Sequence, residues 1–208
     1  MTRRNWILVL VITGAFVVAG AIVIGGLVVI ARQVGQQAKV TPDPTPLSEA
    51  DKRLLLTAAD IERLGGPAAA PGKEEWTAQR QGTGTRFITY LYESSDEPRI
   101  TIYSRLALLP HENDARRTYK LDTMMMKLSP EGETYVPAPR LLPGGDDRKA
   151  WFIWKDREVI GNFFLVREGR FIQSARLTGV ALHEPADVEK LLGPMLAESR
   201  RRTAAMQR

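Results

Sequence analysis

The chain has two histidines, and each is followed by a glutamate: His111-Glu112 and His183-Glu184, with Asp114 and Asp187 close behind. Imidazole beside carboxylate is a ligand set for zinc or another borderline metal. Neither pair has His-Glu-x-x-His spacing, and carboxylates at the start of a helix also serve simply to complement its dipole. Asp146-Asp147, after Gly144-Gly145, offers two oxygen ligands but lacks the further acids that a calcium loop spaces along twelve residues. Gly82-Thr83-Gly84 has no Gly-Lys-Ser/Thr after it and so is no phosphate loop. There is no cysteine, and no serine stands in a Gly-x-Ser-x-Gly elbow. The expectation is a chain that is not an enzyme, with no metal, no cofactor and no catalytic residue.

The richer chemistry is aromatic. Trp151, Phe152 and Trp154 stand within four positions, followed by Phe163, Phe164 and Phe171. On a strand, alternation sends Phe152 and Trp154 to one face and Trp151 and Ile153 to the other. A sheet covered on both sides buries both sets. One left uncovered turns these rings into a docking patch or the wall of an apolar pocket. Trp151, Phe152 and Trp154 are therefore the candidate binding face.

The elements that carry these residues follow from periodicity. Thr57 and Asp60 have capping-box spacing and start a short helix that Gly65-Gly66-Pro67 ends. Residues 75–80, 85–93 and 99–106 alternate and are rich in Thr, Ile, Tyr and Phe, three strands of an antiparallel meander. Pro110 opens a helix over 111–128, closed by Ser129-Pro130, with Ala115, Tyr119 and Met125 or Met126 on one stripe. Met124, Met125 and Met126 cannot all face one way; core filling is the commoner use of such a run, and an adaptable binding surface the alternative. Pro137, Pro139 and Pro143 mark a loop. Strands resume over 149–155, 159–167 and 170–178, with Glu168-Gly169 as a hairpin turn. A last helix begins near Glu184-Pro185, where Val188, Leu191, Leu192, Met195 and Leu196 give the strongest amphipathic pattern. The order α-βββ-α-βββ-α predicts an α+β domain, an antiparallel sheet with helices.

Residues 5–31 contain no ionisable side chain, and Arg3-Arg4 precede them. Roughly 20 apolar residues cross a bilayer, so residues 1–32 read as an uncleaved, single-pass signal-anchor. A cut after Ala38 would place Gln36 at the −3 position, a poor fit to a secretory signal. Flanking charges favour an inside N-terminus and an extracytoplasmic domain. Ala15 with Ala19, and Ala21 with Gly25, are four apart, a spacing that permits helix–helix packing and hence a homo-oligomer through the helix. Prolines at 42, 44 and 46 read as a stiff linker over 33–47, leaving 48–199 as the domain and 200–208 as a basic tail. The formal charge of +5 comes from the ends; residues 40–199 carry 21 basic and 24 acidic side chains, which argues against nucleic acid as a partner.

Three stretches carry a resemblance to a known family: Leu55-Leu56-Thr57-Ala58-Ala59-Asp60, Leu142-Pro143-Gly144-Gly145-Asp146-Asp147 leading into Ala150-Trp151, and Phe164-Leu165-Val166-Arg167-Glu168-Gly169-Arg170 with the helix that follows. Over 54–199 the chain resembles the PsbP-like α/β/α sandwich domains of bacterial membrane-anchored extracytoplasmic proteins, among them lipoproteins of unknown function and sensor domains of membrane receptor kinases. The resemblance implies fold and location and no site residue. The function expected is a non-catalytic protein-binding or accessory domain of the bacterial envelope, with another membrane or envelope protein as partner. The alternative is a small-molecule or lipid-binding sensor domain, which requires an apolar pocket near Trp151–Trp154.

Overall fold

The computed structural model describes residues 40–64, 71–95, 97, 99–126 and 132–206. The expected membrane segment, with Ala15, Ala19, Ala21 and Gly25, lies outside them. Among the described residues no helix is long and apolar enough to cross a membrane. The chain divides into two units, Met1–Val40 with Gln81–Thr83 and Thr41–Arg80 with Gly84–Arg208. The elements below belong to the second, apart from the strand-end residues Val40 and Gln81.

Two capping boxes start the helical layer. The Ser48 hydroxyl accepts from the Asp51 N–H at 3.1 Å while the Asp51 carboxylate accepts from the Ser48 N–H, opening α1 (Glu49–Lys52). Thr57 and Asp60 repeat the device at α2 (Ala58–Glu62), where the sequence places it. Between them Leu54, Leu55 and Leu56 are all buried. The remaining elements are β1 (Val40–Pro42), β2 (Gly72–Gln81), β3 (Arg86–Ser94), β4 (Thr101–Leu108), α3 (Glu112–Met125), β5 (Glu133–Pro137), a 3-10 turn (Gly145–Asp147), β6 (Arg148–Lys155), β7 (Glu158–Glu168), β8 (Phe171–Thr178) and α4 (Pro185–Met206).

The strands form one eight-stranded antiparallel sheet in the order β1-β2-β3-β4-β8-β7-β6-β5. Two meanders meet at β4 and β8, whose register runs from Thr101 opposite Thr178 to Leu108 opposite Phe171. Alternation gives the sheet two cores. On one side Ile88, Tyr90, Ile102, Phe164, Phe171 and Leu177 pack with the 54–61 segment and with Val188, Leu191 and Leu192 of α4. On the other, Trp151, Ile153, Phe163, Leu165 and Ile172 pack under Ala115 and Tyr119 of α3.

Buried polar side chains pin irregular backbone onto the first of these faces. Ser104 Oγ accepts from the Leu56 N–H at 2.9 Å, and Tyr90 Oη from the Ala58 N–H at 3.1 Å. Gln173 Nε2 donates to the Leu54 carbonyl at 2.8 Å, and Asn162 grips Leu182 through both its backbone groups. Each satisfies a main-chain group that would otherwise be buried unpaired.

The expected α+β sheet is present, with two strands beyond the six anticipated. Both are edges, and both end in proline, Pro42 in β1 and Pro137 in β5. Proline lacks the N–H a central strand needs but is accommodated at an edge. Of the stiff linker expected over 33–47, the described part is accordingly joined to the fold from Thr41 on. Asp43 N–H donates to the Ala78 carbonyl at 3.0 Å, and Arg86 reaches the Asp43 carboxylate at 2.5 Å and the Asp51 carboxylate at 3.1 Å. The expected basic tail also changes character. Arg200, Arg201 and Arg202 continue α4, and Arg202 pairs with Asp51 at 3.0 Å and with Glu198 at 3.1 Å. The methionine run splits. Met126 packs against the α3-side core, whereas Met124 and Met125 are 65 % and 55 % exposed.

The Asp43–Arg86–Asp51–Arg202 chain makes stability depend on acid. The Thr45 N–H, with Arg86 reinforcing it, holds the Asp43 carboxyl down at about 2. Burial alone would raise Asp51, but hydrogen bonds from Arg202 and Ser48 outweigh it and lower its pKa. Folding therefore releases protons from both groups, so their contribution is complete above the ordinary carboxylate range and declines as pH falls from about 4 towards 2. Urea titrations at stepped pH should show that decline, and Asp43→Asn should flatten part of it. An unchanged slope in the variant would remove Asp43 from the account.

Candidate ligand cavity beside Trp151

Past β5 the Ala138 N–H still donates to the Ala150 carbonyl at 2.8 Å, and Pro139 and Pro143 then leave the 137–145 connection without two of its donors. It bends through Gly144 (φ 142°) and Gly145 (φ 80°), conformations that side chains with a Cβ rarely adopt. Between this connection, the end of α3 and β6 lies a cavity of about 820 Å³. Pockets for small organic ligands run roughly 300–1,000 Å³. α3 supplies Thr123 and Met126, β5 supplies Tyr135, and β6 supplies Trp151. Leu142 and the three prolines complete a largely apolar lining.

Rings set the inner wall. Phe163 stands between Trp151, at 5.7 Å and 56°, and Tyr135, at 5.8 Å and 82°, so packing fixes both cavity-lining rings. Among the described lining residues, charge enters with Arg148 and Lys149. Arg148 leans on Glu168 at 3.6 Å, a long pairing that leaves guanidinium donors for an anionic group.

The three candidate aromatics do not form one face. Trp151 is buried on the α3 side and lines this cavity. Phe152 points to the opposite side and stacks on His183 at 5.4 Å and 29°. Trp154, past a register shift between Ile153 and Trp154, lies in a shallow depression with Thr134 and Val136, its indole N–H buried without a hydrogen-bond partner among the described residues. What composition missed is the contribution of Met126, Tyr135 and Leu142. Met126 had a signal in the Ala115/Tyr119 stripe and the methionine run, and Tyr135 as an aromatic in a stretch that reads as loop; Leu142 had none that points to a cavity.

The histidines lie on opposite sides of the sheet. His111 heads α3, and His183 stacks on Phe152 before α4. Among the described residues no group of three or more His, Asp or Glu side chains is arranged to hold a metal ion. The Asp147 carboxylate is taken up by Arg167, at 2.6 and 2.9 Å, and Arg167 also reaches Glu112 at 3.2 Å. A second depression, of about 680 Å³ beside Trp76, is ringed by pairs that neutralise each other: Lys52 with Glu49 at 2.7 Å, Arg201 with Glu198 at 2.8 Å, and Arg63 with Asp60.

The fold has a known counterpart. It is similar to the extracellular domain of PknH from Mycobacterium tuberculosis, with a TM-score of 0.51 over 78 % of this chain and 100 % of that one. Identity is 12 %, so the likeness is one of fold. That domain is extracytoplasmic, the class of domain the sequence resembles. No protein-family model matches the chain, and no curated protein does.

Proposed function

We propose that this chain is a membrane-tethered, extracytoplasmic domain that binds an apolar or amphipathic small molecule and does no catalysis. The observation that carries the reading is the cavity walled by Trp151, Tyr135 and Met126. Apolar walls supply the free energy of binding by removing ligand surface from water, and Arg148 at the same site favours a ligand with one anionic end. The fold likeness to an extracellular domain supports the location. The cavity puts this reading ahead of an accessory subunit for another envelope protein, for which the Ala15/Ala19 and Ala21/Gly25 spacing is the sequence support.

Laurate, palmitate and oleate are suitable probes, with dodecanol as the neutral control. Residues 40–208 should be used, because Asp43 and Thr45 both contact Arg86. At about 100 times the dissociation constant a ligand selective for the folded state adds about 2.7 kcal/mol, a rise in Tm of roughly 5–10 °C for a domain of this size. Laurate should outperform dodecanol. A flat Tm with all three acids would end the reading.

A further inference from the structure

The geometry of α3 points to a second site, on the outside of the helix and separate from the cavity. We propose that the outward stripe of Arg117, Lys120, Leu121 and Met124, flanked by Met125, docks on an anionic lipid surface.

A helix that covers a sheet should bury one stripe and present a polar one to water. α3 buries Ala115 and Tyr119, its C-cap Met126 packs partly buried against the same core, and Asp122 is turned partly inward. The opposite side is not polar throughout. Leu121, Met124 and Met125 are 61 %, 65 % and 55 % exposed, three of the seven large exposed hydrophobics among the described residues. Positions 117, 120, 121 and 124 are three and four apart, so their side chains share one face. Arg117 and Lys120 are exposed and have no ion-pair partner among the described residues, and Arg116 beside them holds Glu112 only at 3.5 Å. From Ala115 to Met126 the sole acid is Asp122, on the inner side.

Cations interleaved with flexible apolar side chains along an exposed helix face are the pattern of an interfacial helix, with the apolar groups entering the acyl boundary and the cations meeting lipid phosphates. An anionic bilayer matches both halves of this stripe. Chain length favours the same occupant. Nine residues, 32–40, separate the apolar run from Thr41. Fully extended they reach roughly 30 Å, so a chain anchored through that run keeps its domain beside the bilayer.

Because the chain has no cysteine, Met124→Cys gives a single attachment point for an environment-sensitive fluorophore. The full chain would be reconstituted in vesicles of phosphatidylglycerol with phosphatidylcholine, and in phosphatidylcholine alone. Glu189→Cys, exposed on α4, is the control position. The proposal expects a blue-shifted, brighter emission at position 124 in the anionic vesicles only, with no change at 189. Arg117→Gln with Lys120→Gln should weaken docking roughly thirty-fold, since each cation near an anionic surface contributes about a fivefold gain. No shift at 124 would overturn it. So would an equal shift in both vesicle types, or one that grows with the protein-to-lipid ratio, which would assign the stripe to a second copy of the chain.

Discussion

Asn162→Leu is expected to cost the domain about 2–6 kcal/mol, a large part of a typical folding stability. Asn162 has no solvent exposure, and leucine has the same branched skeleton with bulkier methyl ends, so the substitution opens no void and any steric cost adds to the loss. What it removes is a pair of hydrogen bonds. Nδ2 donates to the Leu182 carbonyl at 3.1 Å, and Oδ1 accepts from the Leu182 N–H at 2.6 Å. Both main-chain groups are buried, and each left unpaired costs about 1–3 kcal/mol. Leu182 lies in the connection from β8 to α4, so the loss also loosens the approach of the helix that buries Val188, Leu191 and Leu192. Urea unfolding monitored by tryptophan fluorescence reads the effect directly. A loss below about 1 kcal/mol would show that the connection is held by its apolar contacts instead.

Thr123→Trp is expected to abolish the ligand response while leaving the fold intact. Thr123 faces the cavity from α3, half-buried, and its hydroxyl donates only to the Tyr119 carbonyl one turn back at 2.9 Å. Losing that bond is cheap, because the carbonyl keeps its helical partner. An indole at 123 occupies the volume between Met126 and Trp151 that a ligand chain would need. A hundredfold loss of affinity reduces a stabilisation of about 2.7 kcal/mol to about 0.4 kcal/mol, so the rise in Tm with laurate shrinks to about 1 °C. An undiminished rise in this variant would mean that laurate binds elsewhere.

The parts of this structure that were legible in the sequence are those set by local rules. The Thr57/Asp60 capping box, the hairpin at Glu168-Gly169 and the 188–196 stripe of α4 depend on neighbours a few positions away, and each is found where those neighbours place it. The two edge strands were hidden because their prolines carry opposite meanings at a sheet edge and in a loop, and only the tertiary position decides between them. That β4 pairs with β8 is a long-range choice that alternation does not encode. Ser104, Gln173 and Asn162 look like ordinary polar residues of strands. Their role is set by the irregular backbone of 54–58 and 182 that folds over them. The cavity shows the same divide. Trp151 stood out by type, but its neighbours Met126 and Leu142 are brought to it by chain that is remote in sequence. The alternation that separates Trp151 from Phe152 was readable and holds through Trp154, which stays opposite Thr134 as Phe152 stays opposite Val136, whereas the different neighbours of Phe152 and Trp154 on that face were not.

The most direct test of the account is to locate a bound chain. Residues 40–208 with laurate, the methionine methyls isotope-labelled, would be examined for nuclear Overhauser contacts between the laurate methylenes and the protein. The account predicts contacts to the Met126 methyl and the Trp151 indole, saturating with laurate and absent in Thr123→Trp. Contacts confined to the exposed Met124 and Met125 methyls, or none at saturation, would contradict it.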